Sequence, residues 1–417
     1  MTDPRVIVGA SHAGSELAAK LRQLDPSTPV LLVGAEAALP YQRPPLSKSW
    51  LGGTNDDVDW LLIRNAAAYS NAGVAVRSGT RVAAIDRASN RLVLESGESI
   101  TYSQLAIATG ARARRLAVPD AERTERAPNF HYLRTLADAE RLRPQFTAGA
   151  RIAVIGGGYI GLEVAALSIK HGLVPTVLEA QPRVLARVTA PALSAFYERV
   201  HRDAGVDVRT GAQVAGLEFA SDGRLRGVLW RDAAGATGCV EADIVVAGLG
   251  VEPNIELAQA AGLACAADGI LVDALCQTSD PDIVAAGDCT SRPVPGQPGT
   301  VRIESVPNAV EQARAAAATL CGQHQPCSSV PWFWSDQFDL KLQMVGLSRG
   351  HDEWVARGDM TTRSFTVFYL REGTVIAADA VNRPGDFMQA RRLVTAGVRT
   401  EAARLADPAA DLKKLAA

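Results

Sequence analysis

The chain has 417 residues, 47% of them hydrophobic and 21% charged, with a formal net charge of −2. That balance suits a soluble globular protein of two or three domains and gives no global attraction to nucleic acid or anionic lipid. No apolar run reaches the ~20 residues that span a bilayer. The six cysteines are scattered, with no C-x-x-C pair or zinc-ligand spacing, which predicts a cytoplasmic protein without a metal site and with mostly buried thiols.

The start, MTDPRVIVGASHAG, runs almost directly into a strand, without a basic, then apolar, leader. RVIV (5–8), helical spacing in SELAAKLRQL and a second apolar run, PVLLV (29–33), predict a βαβ unit of a doubly wound parallel sheet. VAVRSG, RVAAID and RLVLES follow as a meander of short strands, and LAIATGAR (105–112) as a strand running into glycine. The opening then repeats. RIAVIGGGYIGLEVAALSIKHG (151–172) and VPTVLEA (174–180) form a second strand–glycine–helix–strand unit, too far from the first for a solenoid period. DVRTGAQVAGLEFASDGRLRGVLW reads as another antiparallel meander, and ADIVVAGLGVEPN and DIVAAGDC as strands ending in glycine. A helix is expected over 308–320, a linker in GQHQPCSSVPWFW, a hairpin from TRSFTVFYL and GTVIAADAVN, and a helix in DFMQARRLVTAG.

Phosphates dock where a helix N-terminus presents free N–H groups, and glycines permit the turn and the close approach. Gly156, Gly158 and Gly161 have the G-x-G-x-x-G spacing, and Glu179 ends the following strand. An acid there accepts hydrogen bonds from ribose hydroxyls and repels the extra phosphate of NADP, which predicts NADH. The first motif keeps Gly9 and Gly14 but has Ser11 in the middle, usable if Ser11 avoids a left-handed backbone. Glu179 corresponds there to about Gly34, and Glu36 is the nearest acid. Ala108, Thr109 and Gly110 end a strand where backbone must approach a dinucleotide. Gly287 and Asp288 end another, where the carboxylate can accept a bond from a ribityl hydroxyl. Both point to a flavin.

These residues resemble the two-dinucleotide flavoprotein superfamily, and within it the putidaredoxin reductase type of NADH-dependent ferredoxin reductase. The likeness covers nearly the whole chain, through PPLSK, YLRTL, GGGYIGLEVAA, RVLARVTAPALSAFYE, AAGDC, RIESVPNA with EQAR, PWFWSDQ and VNRP. It implies an α/β fold of two Rossmann-like dinucleotide-binding domains plus a C-terminal α+β domain covering the flavin. The FAD domain would span 1–111 and 250–328, the NADH domain 112–249 and the C-terminal domain 329–417. Carried onto this sequence, FAD contacts fall on Ala13, Lys48, Val82, Arg134, Asp288 and Val306. His12, Arg43 and Arg112 stand in the same FAD segments. On the NADH side the resemblance adds Tyr159, Ile160, Glu163, Arg187, Gly248 and Gly250. One position departs: the aspartate of the family's VGD is Ala35 here, and Glu36 is the nearest acid to take its role.

Residues 38–50, ALPYQRPPLSKSW, contain no cysteine, whereas cysteine-bearing relatives discharge a flavin into a dithiol at the equivalent stretch. Electrons are therefore expected to leave singly, to a [2Fe–2S] ferredoxin that serves a cytochrome P450 or a similar oxygenase. The resemblance pairs Lys48 with Glu163 beside flavin and nicotinamide, and puts Trp334 near the exposed flavin edge. Such ferredoxins are acidic, so Arg64, Arg314, Lys341 and Arg391 are the candidate docking residues. Two other readings stand beside it: an NADH oxidase, quinone or peroxide reductase on the same fold, and an NADH-sensing flavoprotein like apoptosis-inducing factor relatives.

Overall fold

Short β-branched runs followed by glycine and then by alanine- and leucine-rich helical spacing become strand–turn–helix units in the computed structural model, which describes residues 3–415. Residues 1, 2, 416 and 417, at the outer ends of the expected first and last domains, lie outside the described residues. The chain divides into two compact units. One comprises Met1–Gln42, Asp57–Arg112 and Val251–Phe333; the other comprises Arg43–Asp56, Ala113–Gly250 and Trp334–Ala417.

In the first unit five parallel strands lie in the order Ile283–Ala285, Gln104–Ile107, Arg5–Val8, Val30–Val33, Val74–Arg77. Side chains alternate across a strand, so Ile7 points to one face while Val6 and Val8 point to the other. The Ile7 face is covered by the helices His12–Leu24 and Val306–Leu320, through Leu17, Leu21, Ala313 and Ala316. The opposite face is covered through Ile85 and Leu92 of the antiparallel strands Val82–Asp86, Arg91–Leu94 and Ser99–Thr101. Each buried leucine of this kind contributes about 1.5–3 kcal/mol.

The second unit repeats the plan, with parallel strands ordered Asp207–Thr210, Val174–Glu179, Arg151–Ile155, Ile244–Ala247, Phe130–Tyr132. An antiparallel sheet of Gln213–Phe219, Leu225–Arg231 and Thr237–Glu241 accompanies it. The C-terminal part is α+β. Strands Trp332–Gln337, Leu340–Gly346, Thr374–Val381, Phe365–Arg371 and Glu353–Arg357 form one sheet, and helix Pro384–Thr395 buries Phe387, Ala390 and Leu393.

Three details differ from the sequence reading. VAVR (74–77) and DVRT (207–210) do not open antiparallel meanders; each adds a parallel edge strand to its nucleotide sheet. The helices Ala66–Asn71 and Pro191–Asp203 supply the crossovers that parallel pairing requires. The supposed linker stops at Pro331, because Trp332–Gln337 is already a strand of the C-terminal sheet. Helix 308–320 begins at Val306, with Ser305 as cap and a proline in its first turn.

Among the described residues no helix is long and apolar enough to cross a membrane, and no metal-binding cluster is found. The cysteines are less buried than expected: Cys276, Cys289 and Cys327 are buried, Cys265 and Cys321 are half-buried, and Cys239 is exposed.

Candidate functional site: two glycine cradles and a buried ion pair

In the first unit Gly9 follows strand Arg5–Val8 with φ +118°, and a Cβ there would lie 2.0 Å from the Ala108 carbonyl oxygen. Only glycine fits. A Cβ on Gly14 would lie 1.9 Å from the Gly9 oxygen, so the helix His12–Leu24 can start against the turn only without one. Ser11 is extended, with φ −141°, which satisfies the condition placed on it. His12 opens the helix and Ala13 is buried beside it; a Cβ on Gly287 would come 3.2 Å from Ala13 Cβ. Two strand ends, at Gly9 and Gly287, thus converge on one helix start.

The other FAD candidates of this unit lie at its strand ends and turns. Ala108 donates its N–H to Val8 at 2.7 Å, and Thr109 is clamped by Asn254, whose carbonyl takes its hydroxyl at 2.7 Å and whose amide reaches its carbonyl at 2.8 Å. Gly110, at φ +64°, faces open space, and its carbonyl accepts the Asn254 N–H at 2.9 Å. Asn254 also accepts from Arg112 at 2.9 Å, and Arg112 pairs with Glu256 at 2.7 Å. Asn254 joins these candidates through bonds between residues far apart in sequence, which no local pattern signals. Gly287 donates its N–H to the buried Gln312 at 2.9 Å; Asp288 follows at the strand end, and Val306 is the first residue of the neighbouring helix. Val82 opens the antiparallel strand Val82–Asp86, half-buried and away from the glycine turn in sequence. Ala35 is exposed, and Glu36 accepts the Tyr41 hydroxyl at 2.5 Å.

The second cradle follows the same plan with a fuller glycine set. Gly156 has φ +108°, and a Cβ on it would meet the Gly248 oxygen at 2.4 Å; one on Gly161 would meet the Gly156 oxygen at 2.0 Å. Gly158 differs in kind. It caps helix Tyr159–Lys170 without a side-chain bond, and nothing lies within 4 Å of the place its Cβ would occupy. A helix start behind a glycine with clear space before it fits a pyrophosphate. Glu179 accepts the N–H groups of Gly157 at 2.6 Å and Gln181 at 2.7 Å, so it sits at the glycine turn. Gly250 has φ +86°, and Arg187 extends over it, 3.2 Å from where a Cβ would be. Ile160 is exposed, while Tyr159 donates to the Met344 sulfur at 2.8 Å and burial holds its hydroxyl well above the usual range.

The same helix carries Glu163. Lys48 Nζ lies 2.7 Å from Glu163 Oε2, with the two side chains 21% and 2% exposed. Ser47 donates to the same oxygen at 2.5 Å and Ser335 to Oε1 at 2.6 Å. Three donors converge on one buried carboxylate, which fixes it in orientation. The short 3-10 turn Pro44–Ser47 aims both Ser47 and Lys48; its prolines pre-set the backbone. Neither serine stands out in the sequence reading. The available signal is the strand Trp332–Gln337, where polar Ser335 and Gln337 share the buried face and Trp334 lies, half-buried, on the other. Arg43 and Arg134 are also brought together, a guanidinium N–H of Arg43 reaching the Arg134 carbonyl at 2.8 Å.

The docking candidates divide between the units. Arg64 and Arg314 both bind Glu16, at 3.1 and 2.7 Å, so two cations share one carboxylate and leave a net positive charge. Their hydrogen bonds, with burial opposing, hold the Glu16 carboxyl below its ordinary value. In the second unit Lys341 is exposed on strand Leu340–Gly346, and Arg391 is half-buried on helix Pro384–Thr395.

Known proteins match this plan from end to end. Residues 4–313 match the family described as pyridine nucleotide-disulphide oxidoreductase, and residues 332–416 match a reductase C-terminal domain. Putidaredoxin reductase CamA of Pseudomonas putida is 45% identical over 416 residues, covering 100% of this chain and 97% of that protein. The ferredoxin–NAD(+) reductase component of the anthranilate 1,2-dioxygenase system of Burkholderia cepacia is 43% identical, covering 99% and 98%. Among solved structures, the covalent putidaredoxin reductase–putidaredoxin complex matches with a TM-score of 0.94 at 45% identity, covering 99% of this chain and 98% of that one. The ferredoxin reductase for the CYP199A2 system of Rhodopseudomonas palustris matches at 0.93 and 41%, covering 100% of each chain. The chain belongs to the pyridine nucleotide-disulphide oxidoreductase family and is of the putidaredoxin reductase type.

Proposed function

We propose that the chain is a cytoplasmic, FAD-containing NADH:ferredoxin reductase whose [2Fe–2S] ferredoxin serves a cytochrome P450 or a similar oxygenase. The first-unit cradle at Gly9, Ser11 and Gly14 holds the pyrophosphate of FAD, and Asp288 accepts from its ribityl chain. The cradle at Gly156, Gly158 and Gly161 holds NADH, with Glu179 on the adenosine ribose. Bound FAD supplies the ability to take a hydride and release electrons one at a time.

The observation that carries this reading is the Lys48–Glu163 bridge of 2.7 Å, set on the helix that Gly158 caps and reached from a stretch without cysteine. Glu163 is locked by three donors, so Lys48 is held by a carboxylate that cannot turn away. The pair orients the nicotinamide carboxamide, and Lys48 places positive charge where negative charge develops. Removing one partner of a buried pair leaves the other uncompensated, at about 3–5 kcal/mol. The printed names of the relatives support a ferredoxin as acceptor.

The test is a visible spectrum followed by anaerobic NADH titration and turnover with a panel of [2Fe–2S] ferredoxins. Yellow protein bleached by NADH and reoxidised by one or more ferredoxins is expected. Folded, colourless protein that cannot be reconstituted with FAD would end the proposal. Lys48→Ala should slow flavin reduction with FAD still bound. Ferredoxin reduction should weaken steeply with salt while a small ferric acceptor does not follow, because the Arg64–Arg314 charge acts through screened space.

A further inference from the structure

Glu163 is one end of a longer chain of buried groups. Ser335 Oγ, bonded to Glu163 Oε1 at 2.6 Å, lies 3.2 Å from Gln337 Nε2, and Gln337 Oε1 lies 2.9 Å from His201 Nε2. Ser335 and His201 are 0% exposed, Gln337 1% and Glu163 3%. The groups come from three elements: Glu163 from helix Tyr159–Lys170, Ser335 and Gln337 from strand Trp332–Gln337, and His201 from helix Pro191–Asp203.

The direction of every bond follows from the first. A carboxylate only accepts, so the Ser335 hydroxyl must donate to it, which leaves the serine oxygen to accept. Gln337 therefore presents its NH2 to Ser335 and its carbonyl to His201. His201 must then carry its proton on Nε2. His201 Nδ1 is correspondingly the nitrogen that is buried with no hydrogen-bond partner. Burial lowers the His201 pKa to about 4, against a weaker opposing push from Gln337, so the ring is neutral at physiological pH. Burial also raises the nearby Tyr159 and Tyr197 hydroxyls, and Lys48 pairs with Glu163 at the far end.

We infer that Ser335, Gln337 and His201 are positioning residues: a one-way hydrogen-bond chain by which the C-terminal sheet and helix Pro191–Asp203 fix the Glu163 carboxylate that holds Lys48. This rests on the reading of Lys48 and Glu163 given above. It assigns the C-terminal sheet a part in hydride transfer through a side-chain chain.

The test uses full-length, FAD-loaded protein without NADH, labelled with ¹⁵N-histidine, so that two-bond ¹H–¹⁵N correlations report the tautomer of each of the six histidines. Wild type should show His201 with its proton on Nε2. In Ser335→Ala the Gln337 amide loses its acceptor and is free to turn, so the His201 tautomer should change although the substitution does not touch the ring. Stopped-flow reduction of the same variant should show a limiting rate roughly tenfold lower, the scale of one charge-assisted hydrogen bond, with half-saturating NADH unchanged. Ser335→Thr, which keeps the hydroxyl, should restore both. An unchanged His201 tautomer in Ser335→Ala overturns the inference, as does a changed tautomer with a wild-type limiting rate. If Ser335→Ala does not retain FAD, His201→Leu against His201→Gln decides: Gln keeps a donor near the Nε2 position, and equal limiting rates overturn the proposal. Failure of NADH to reduce the wild type would instead defeat the functional reading and leave the tautomer result standing.

Discussion

The two nucleotide cradles are the same construction with one slot filled from opposite sides. Val8 pairs with Val33 as Ile155 pairs with Leu178, so Gly9 aligns with Gly156, Ala10 with Gly157, and Gly34 with Glu179. In the first cradle Ala10 carries the side chain and Gly34 has none; a Cβ on Gly34 would lie 2.5 Å from Ala10 Cβ. In the second, Gly157 has none and Glu179 fills the space; a Cβ on Gly157 would lie 3.1 Å from Glu179 Cβ. The acid at the strand end is thus coupled to the second residue of the glycine turn. In the first cradle Ala10 takes that space, and the nearest acid is Glu36, two residues along the chain.

The largest effects should come from the first glycine of each cradle, and they should differ in kind. Gly9→Ala and Gly156→Ala each force a side chain into a positive φ and against a carbonyl oxygen, at 2.0 and 2.4 Å. Each carries about 1–3 kcal/mol of backbone strain before the clash is counted. Gly9→Ala should be purified without flavin. Gly156→Ala should stay yellow yet be reduced by NADH at least about a hundredfold more slowly. The crossed pattern, flavin lost from Gly156→Ala and retained by Gly9→Ala, would break the assignment of the two cradles.

Glu179 comes next. Glu179→Gln removes the charge that receives the Gly157 and Gln181 N–H groups, bonds of the charge-assisted class worth about 1.5–3 kcal/mol. The ratio of kcat/KM for NADH over NADPH should shrink roughly tenfold, most of it through weaker use of NADH. An unchanged ratio would mean that the acid organises the glycine turn and takes no part in choosing the nicotinamide.

How much of this was legible depended on whether the signal was local. The glycine spacing, Glu179 at its strand end and the helix after each turn are set within a few dozen residues, and the sequence displays them. The pairing direction of residues 74–77 and 207–210 is not local: β-propensity is the same for parallel and antiparallel neighbours. The helices just before them, Ala66–Asn71 and Pro191–Asp203, were the available sign. Lys48 and Glu163 came from a resemblance. Ser47, Ser335, Gln337 and His201 came from neither source, since their meeting depends on tertiary folding. Even so, WFWSDQ ends in three consecutive polar residues, and Ser335 and Gln337, which share one face of the strand, prove to be its buried set.

A smaller effect tests the shared slot itself. Gly34→Ala should lower stability by about 1–3 kcal/mol through overpacking against Ala10, a fall of several degrees in the midpoint of thermal flavin release. Ala10→Gly alone should cost under about 1 kcal/mol. Together they should recover most of the Gly34→Ala loss, because the second change empties the space the first needs. Additive losses would show that the two positions do not compete, and the comparison would lose its structural basis.

The smallest expected effect concerns Glu36. It lies two residues beyond the slot, is half-buried, and accepts the Tyr41 hydroxyl at 2.5 Å. If it holds the adenosine ribose of FAD, as we propose Glu179 does for NADH, Glu36→Gln should weaken flavin retention about threefold to tenfold, the scale of one hydrogen bond to a charged group discounted for partial exposure. Tyr41→Phe should then weaken it less, because it removes only the group that steadies the carboxylate. If instead Glu36 serves only to anchor Tyr41, which is 3% exposed, the two substitutions should cost similar stability and leave the FAD dissociation constant alone. Measuring flavin affinity by fluorescence alongside thermal stability separates the cases, since a ribose contact appears in the first and a purely internal bond only in the second. The comparison between cradles predicts the former, because neither Gly34 nor Ala35 carries an acid and Glu36 is the nearest one to that strand end.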